Sequence, residues 1–485
     1  MVFSSHLFLF YFLPAALVLY YAAPRRGKHI MLTVLSYIFY GWANPLFMVL
    51  MWTSTIIDYI CGLVISRQLG RSWKDPIEAL PLRGPRSTSQ KVALAISIVC
   101  NLSLLGVFKY FNFGLDSWNA LVDTVGATHL GWHNFLRITL PLGISFYTFQ
   151  SMSYSIDVYR GEAKAIRNIV DFACYVAMFP QLVAGPIIRF QEVDDQLRNR
   201  TYTTEKFARG AAFLCMGLAK KVLLANPCGK VADMAFDAGS VGTVDAWYGV
   251  TSYAFQIYFD FSAYSDMAIG LGLLLGFVFP KNFDSPYHAR SITEFWRRWH
   301  ISLSTWLRDY LYIPLGGNRK GPGRTYVNLA MVMLLGGLWH GASWNFVIWG
   351  GIHGAMLAFE RLQGKNSPYR RLPGPLRTTV TFAIVLITWV FFRATTLQEA
   401  TDYLARMFGL GAEQAGAGLI GGIIYQPYYL VMFVVAAVIV WAAPQTWDFT
   451  RRITAPKATA IVGMFWVAII ALTTQAFNPF IYFIF

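Results

Sequence analysis

The chain has 485 residues, of which 56% are hydrophobic and 16% aromatic, while only 13% are charged, about half the charge of an ordinary soluble domain. That balance excludes a soluble globular enzyme. The formal net charge of +15 raises nucleic acid as a partner, but the basic residues gather in alternate loops between apolar runs, which is a pattern of membrane orientation and excludes a nucleic-acid face.

Apolar runs of spanning length start at 7–23 and continue through 30–66, 92–113, 138–157, 169–188, 207–226, 247–280, 326–361, 378–397, 426–444 and 458–476. Several could hold two passes, so the sequence predicts an all-α polytopic membrane protein with about eleven to thirteen hydrophobic helices, some broken or re-entrant. One transmembrane domain, 1–485, is expected, with the lipid bilayer as its first partner. The start, MVFSSHLFLF, lacks a basic n-region and a small-residue cleavage site, so a retained first helix is expected.

Charge sets the orientation. Residues 67–91 carry six basic and two acidic residues, 281–325 eight and three, and 361–377 five and none, which places those loops on the cytoplasmic side. Segments 114–137, 227–246 and 398–425 each hold more acid than base and fall on the far side, as do both termini. The loop RSWKDPIEALPLRGPRSTSQ, 71–90, is expected to be irregular. Cys61, Cys100, Cys174, Cys215 and Cys228 lie in or beside apolar runs without CxxC spacing, so they are expected as core residues.

FPQLVAGPIIRF, 179–190, has prolines 180 and 186 around Gly185 and fits a re-entrant element better than a pass. The isolated charges Asp58, Lys109, Asp157 and Arg393 should pair with one another or snorkel. In YFDFSAYSDMAIGLG, 258–272, Asp260 and Asp266 either break a helix around a polar cavity or cap a helix that begins after Tyr264.

EFWRRWHISLSTWLRDYLYIPLGG, 294–317, is too charged to span, yet Phe295, Trp296, Trp299, Leu303, Trp306, Leu307 and Tyr310 recur on one helical face. Arg297, Arg298 and Arg308 lie largely off it, the pattern of a helix at the cytoplasmic interface. With Arg290, Arg319 and Lys320 these arginines suit a phosphate-bearing ligand. His300 flanks the apolar face, a position that an anchor does not require.

LGGLWHGASWNF, 335–346, holds the most unusual residue. Between Arg324 and Glu360 lie 35 residues without a Lys, Arg, Asp or Glu, and His340 is sixteenth among them. A core histidine, a metal ligand and an acid/base catalyst are the three readings. An ionisable side chain that deep marks a functional site. No metal is expected, because no HExxH or comparable ligand spacing occurs. Gly336, Gly337, Gly341 and Ala342 allow close backbone approach, while Trp339, Trp344 and Asn345 offer polar tips. His353, thirteen residues on, falls on another face and is expected to be structural.

Taken together, MVFSS, FLP, LPLGISFYTFQSMSYSIDVYRG, FPQLVAGPI, YFDFSAYSDMAIGLG, EFWRRWHISLSTWLRDYLYIPLGG and LWHGASWNFVIWGGIHG run the whole length of the chain and are highly specific. By them the chain resembles the membrane-bound O-acyltransferase family, and within it the bacterial branch of alginate O-acetylation. The resemblance implies a funnel from the cytoplasm to a buried histidine, His340, with His300 at the family's second signature position. It implies acetyl transfer from acetyl-coenzyme A as donor substrate, without a cofactor. It also implies an inner-membrane location and a periplasmic, SGNH-hydrolase-like acetyltransferase partner that modifies an exported polysaccharide such as alginate. That partner would dock on the far-side loops or the aromatic end FNPFIYFIF, 477–485. Imidazole, with an ordinary pKa of about 6.5, suits proton transfer at neutral pH; His340 is expected as the base, and His300 as the group that orients reactants or stabilises the oxyanion. Trp296, Arg297, Arg298, Trp299, Trp339 and Asn345 are the expected substrate-binding residues. D-alanyl transfer to teichoic acid, or O-acetylation of peptidoglycan or cellulose, is the alternative within the family. A small-molecule transporter is the alternative outside it, disfavoured because no paired half-chain repeat is visible.

Overall fold

The computed structural model describes residues 1–42, 44–70, 77–82, 84–183, 185–239, 241–364, 367–411, 420–475 and 477–479. Parts of the 71–90 loop, of segment 398–425 and of the aromatic end 477–485 therefore lie outside the described residues. Secondary structure among the described residues is helical, with no strand, as the apolar runs require when backbone groups must be satisfied within each segment. The chain forms two compact units, residues 1–203 with 275–279, and residues 204–274 with 280–485.

In the first unit the helices are α1 (Leu7–Ala22), α2 (Lys28–Gly41), α3 (Phe47–Ile65), α4 (Thr88–Thr124), α5 (Ile144–Arg160), α6 (Ile169–Ala177) and α7 (Phe190–Arg198). The run 30–66 is two helices, as its length suggested. After the nine residues of α6 the chain makes a single turn, Phe179–Leu182, with Pro180 in its first positions; at 1.5 Å per residue this is too short to cross a bilayer. The isolated charges here have polar neighbours. Asp58, fully buried, accepts from Ser97 Oγ at 2.5 Å and Asn101 Nδ2 at 2.7 Å. Lys109 donates to Ser145 Oγ at 3.3 Å, and Asp157 accepts from the Gln191 amide at 3.1 Å.

The second unit contains α8 (Thr204–Ala219), α9 (Asn226–Asp237), α10 (Thr243–Leu274), α11 (Ile292–Arg298), α12 (Ile301–Leu307), α13 (Pro322–His340), α14 (Trp344–Gln363), α15 (Gly374–Arg393), α16 (Leu397–Met407), α17 (Pro427–Ala442) and α18 (Ala455–Thr474). Among the described residues, four helices are long and apolar enough to cross a membrane, α3, α4, α15 and α18, with α1 and α17 shorter apolar helices. On α17 and α18 Val431, Val434, Val438, Val462, Trp466 and Ile470 are exposed, the arrangement expected where lipid takes the place of water.

Neither reading of the Asp260–Asp266 stretch survives. Helix α10 runs unbroken for 32 residues, and both acids sit in its middle. Their partners come from the wide turn Lys220–Ala225 that joins α8 to α9; one extra residue in the turn re-aims the side chains. Lys220 Nζ meets Asp266 Oδ2 at 2.7 Å, and Lys221 Nζ meets Asp260 Oδ1 at 2.8 Å with both side chains 1% exposed. Arg393 pairs with Asp233 and Asp237, at 2.8 and 3.2 Å.

The 294–317 segment is not one interfacial helix. It stops at Arg298 and restarts at Ile301, because His300 takes a left-handed conformation, φ +43°, which an L-residue adopts only when its surroundings impose it. Two backbone bonds to the preceding loop impose it here: Asp284 N donates to Arg298 O, and Ile301 N donates to Asn282 O, each at 2.9 Å. The aromatic face is packed in protein, with Phe295, Trp299, Leu303 and Trp306 buried.

Candidate active site

The break between α11 and α12 turns the His300 ring fully into the interior. It meets Phe261 of α10 edge-on at 4.6 Å between centroids, Trp339 at 5.8 Å and His340 at 6.2 Å. Its Nδ1 lies 3.2 Å from Asn282 Oδ1, which also takes the Ser302 amide at 3.2 Å and Ser302 Oγ at 2.9 Å.

His340 is the last residue of α13, so the 326–361 run holds two helices and the histidine ends the first. Residues 341–343 link α13 to α14, and the two helices cross where Gly337 and Gly350 meet. A Cβ on either glycine would stand under 3.0 Å from a carbonyl oxygen of the other helix, Phe346 O or Met333 O. Only hydrogen fits between these backbones. The crossing holds the His340 ring, 7% exposed, among Trp339, Trp349 and Phe392 at 5.1 to 5.3 Å.

Two cavities share lining residues on α11. One, of about 290 Å³, is lined mostly by apolar side chains including Trp296, Leu303, Leu307, Met333 and Gly336, with His340 in its wall. The other, of about 860 Å³, is polar and presents Arg297, Arg298, Arg361, Arg370 and Arg377. Thr293 and Arg297 line both. Glu360 closes the start of α11 by accepting from the Ile292 and Thr293 amides at 2.6 and 2.9 Å. Burial raises the Glu294 carboxyl, but the Arg290 amide and the Arg298 guanidinium outweigh it and hold the group below the usual glutamate range. An apolar slot joined to a field of guanidinium groups suits a ligand with a slender uncharged arm and a phosphate-bearing head.

The membrane-bound O-acyltransferase family matches residues 160–395. The chain is 42% identical to the protein named "Probable alginate O-acetylase AlgI" of Azotobacter vinelandii over the full length of both. It is 45% identical to the protein of the same name from Pseudomonas aeruginosa, over 95% of this chain and 85% of that one. Against the "Peptidoglycan O-acetyltransferase" of Helicobacter pylori it is 35% identical, over 84% and 80%.

The chain belongs to the membrane-bound O-acyltransferase family.

It is therefore a multi-pass membrane acyltransferase, and the expected site residues of this acyltransferase divide by position. His300, His340 and Trp339 stand together, and Trp296 and Arg297 line the apolar cavity. Arg298 lines the polar cavity but is also held by Glu294 at 2.9 Å. Trp299 is buried between Phe295, Phe283 and Trp389 and lines neither cavity. Asn345 donates to the Ala394 carbonyl at 2.7 Å, tying α14 to the end of α15, and Trp344 is 57% exposed. Among the basic residues expected to form one surface, Arg290, Arg319 and Lys320 do not line the polar cavity. His353 is a satisfied core histidine: Trp296 Nε1 donates to its Nδ1 and Thr388 Oγ1 lies by its Nε2, both at 3.2 Å. Sequence reasoning missed Asn282, Gly350 and the arginines at 361, 370 and 377. The last three had a signal, since 361–377 carries five basic residues and no acid.

Proposed function

We propose that this acyltransferase takes acetyl from acetyl-coenzyme A on the cytoplasmic side and passes it across the inner membrane for O-acetylation of an exported polysaccharide, alginate being the polymer that its relatives' names indicate. What carries the reading is the pair of buried imidazoles 6.2 Å apart, with His340 in the wall of an apolar cavity that adjoins five arginines. The diphosphate and 3′-phosphate of the donor would lie along Arg297, Arg361, Arg370 and Arg377, and the thioester arm would run past Trp296 to His340. His340 takes the proton of the attacking hydroxyl as that oxygen bonds to the thioester carbonyl; the C–S bond breaks and the thiolate recovers a proton. The charge bias of the loops supports termini on the periplasmic face, where an SGNH-hydrolase-like acetyltransferase receives the group and modifies the polymer. The segments assigned to that face are short.

His340→Gln tests the reading, because glutamine keeps a polar tip but cannot cycle a proton near neutral pH. At wild-type protein level, polymer acetylation should fall at least about a hundredfold, the scale of general-base catalysis, with His300→Gln less severe. Retention of more than about a tenth of wild-type activity in His340→Gln would assign that histidine to structure.

A further inference from the structure

His300 has two possible parts in acyl transfer: a donor to the oxyanion, or an acceptor that orients the attacking hydroxyl. The hydrogen bonds around Asn282 separate them. The Ser302 backbone N–H can only donate, and it lies 3.2 Å from the side-chain atom of Asn282 that also faces His300 Nδ1. That atom is therefore the amide oxygen. Asn282 Nδ2 points the other way and donates to Ser265 Oγ at 2.9 Å. An amide oxygen only accepts, and Ser302 Oγ, 3.4 Å from Nδ1, spends its own proton on that oxygen at 2.9 Å, so the 3.2 Å contact places the proton of a neutral His300 on Nδ1. Nε2, buried and without a hydrogen-bond partner among the described residues, then carries a lone pair.

We infer that Asn282 is a positioning residue: it pins the His300 proton on Nδ1 and so makes Nε2 a hydrogen-bond acceptor for the attacking hydroxyl, leaving oxyanion stabilisation to other donors. The inference rests on His300 taking part in acyl transfer as proposed above. Asn282 also fixes where the ring stands, since its backbone carbonyl accepts from Ile301 N and its side chain from Ser302, the first two residues of α12. Few charges compete with this arrangement. His340 is the ionisable group against the ring; Asp260 and Asp266 on α10 are paired with Lys221 and Lys220, and Lys281 and Asp284, either side of Asn282, are paired with each other at 2.7 Å.

The test has a spectroscopic and a kinetic arm. In full-length protein labelled with ¹⁵N-histidine in lipid nanodiscs, the resonances lost in His300→Gln identify His300, and they should show a protonated Nδ1 and an unprotonated Nε2. A protonated Nε2 with a bare Nδ1 overturns the inference, even if His300→Gln is inactive and the acyl-transfer reading stands. Asn282→Asp keeps an oxygen for Ser302 and for Nδ1–H but adds a negative charge, which favours the imidazolium. The His300 midpoint should rise by about one pH unit. Because His300 acts neutral, the acidic limb of the activity profile should move to higher pH by the same amount. A folded Asn282→Asp protein whose profile does not move makes Asn282 merely a helix cap and overturns the inference. Full activity in His300→Gln with the expected tautomer in the wild type would instead sink the acyl-transfer role of His300.

Discussion

Alanine at Gly350 should disable acyl transfer without touching either histidine. The new Cβ would come under 3.0 Å from Met333 O and to 3.3 Å from Gly337 Cα, whereas ordinary contact begins at 3.4 Å. Met333 O is backbone and cannot swing away, so α13 and α14 must separate by roughly 1 Å. A displacement of that size at a reacting group costs on the order of a hundredfold in rate, or about 2.7 kcal/mol of barrier, because His340 ends α13 three residues past Gly337. Overpacking itself costs about 1–3 kcal/mol of stability, so the protein should still insert and fold. Gly351→Ala is the matched control: its Cβ would meet only Leu334 Cδ2, at 3.7 Å. The assay is acetyl content of polymer from cells expressing each variant, normalised to membrane protein level and supported by thioester consumption in proteoliposomes. Gly350→Ala activity within about twofold of Gly351→Ala would show that the crossing tolerates expansion and that His340 placement does not depend on it.

Three further outcomes are expected. Asp260→Asn should lower the thermal unfolding temperature in detergent by several degrees, since removing one partner of a buried pair costs about 3–5 kcal/mol; the double change Lys221→Met with Asp260→Leu should recover much of the loss, and an unmoved transition in the single variant contradicts the pairing. Arg297→Glu combined with Arg370→Glu should weaken acetyl-coenzyme A binding at low salt, with the difference shrinking as salt rises, and tags at 312–325 should report the cytoplasm; unchanged affinity or a periplasmic tag refutes the donor route. Photo-crosslinkers at Trp132 and Val244, both exposed, should trap a periplasmic protein in intact cells, whereas polymer acetylation by this chain alone in proteoliposomes counts against a partner.

Much of the molecule was legible in the chain. Apolar run length fixes helices in lipid because backbone groups there have nowhere else to bond, and so the all-α, multi-pass class followed from sequence. His340 stood out as a candidate for the same reason: a titratable ring in the middle of 35 uncharged residues is costly in lipid. The likeness of motifs pointed to the family before any coordinate.

What composition and period could not give was the set of contacts made between distant segments. Helical periodicity read straight through His300, because no local signal marks a left-handed residue that is imposed by hydrogen bonds from residues 282 and 284. Periodicity likewise left Asp260 and Asp266 as breakers or caps, since their lysines lie some forty residues earlier and face them only because the turn at 220–225 widens. Asn345 carried the right chemistry in the right neighbourhood, yet its amide is turned to Ala394, and Asn282, with nothing nearby to recommend it, holds the His300 ring. The sequence by itself determined which residues are too polar for lipid and must therefore be buried in protein; which of them face one another was decided by helix crossings and loop pairings that exist only once the whole unit is folded.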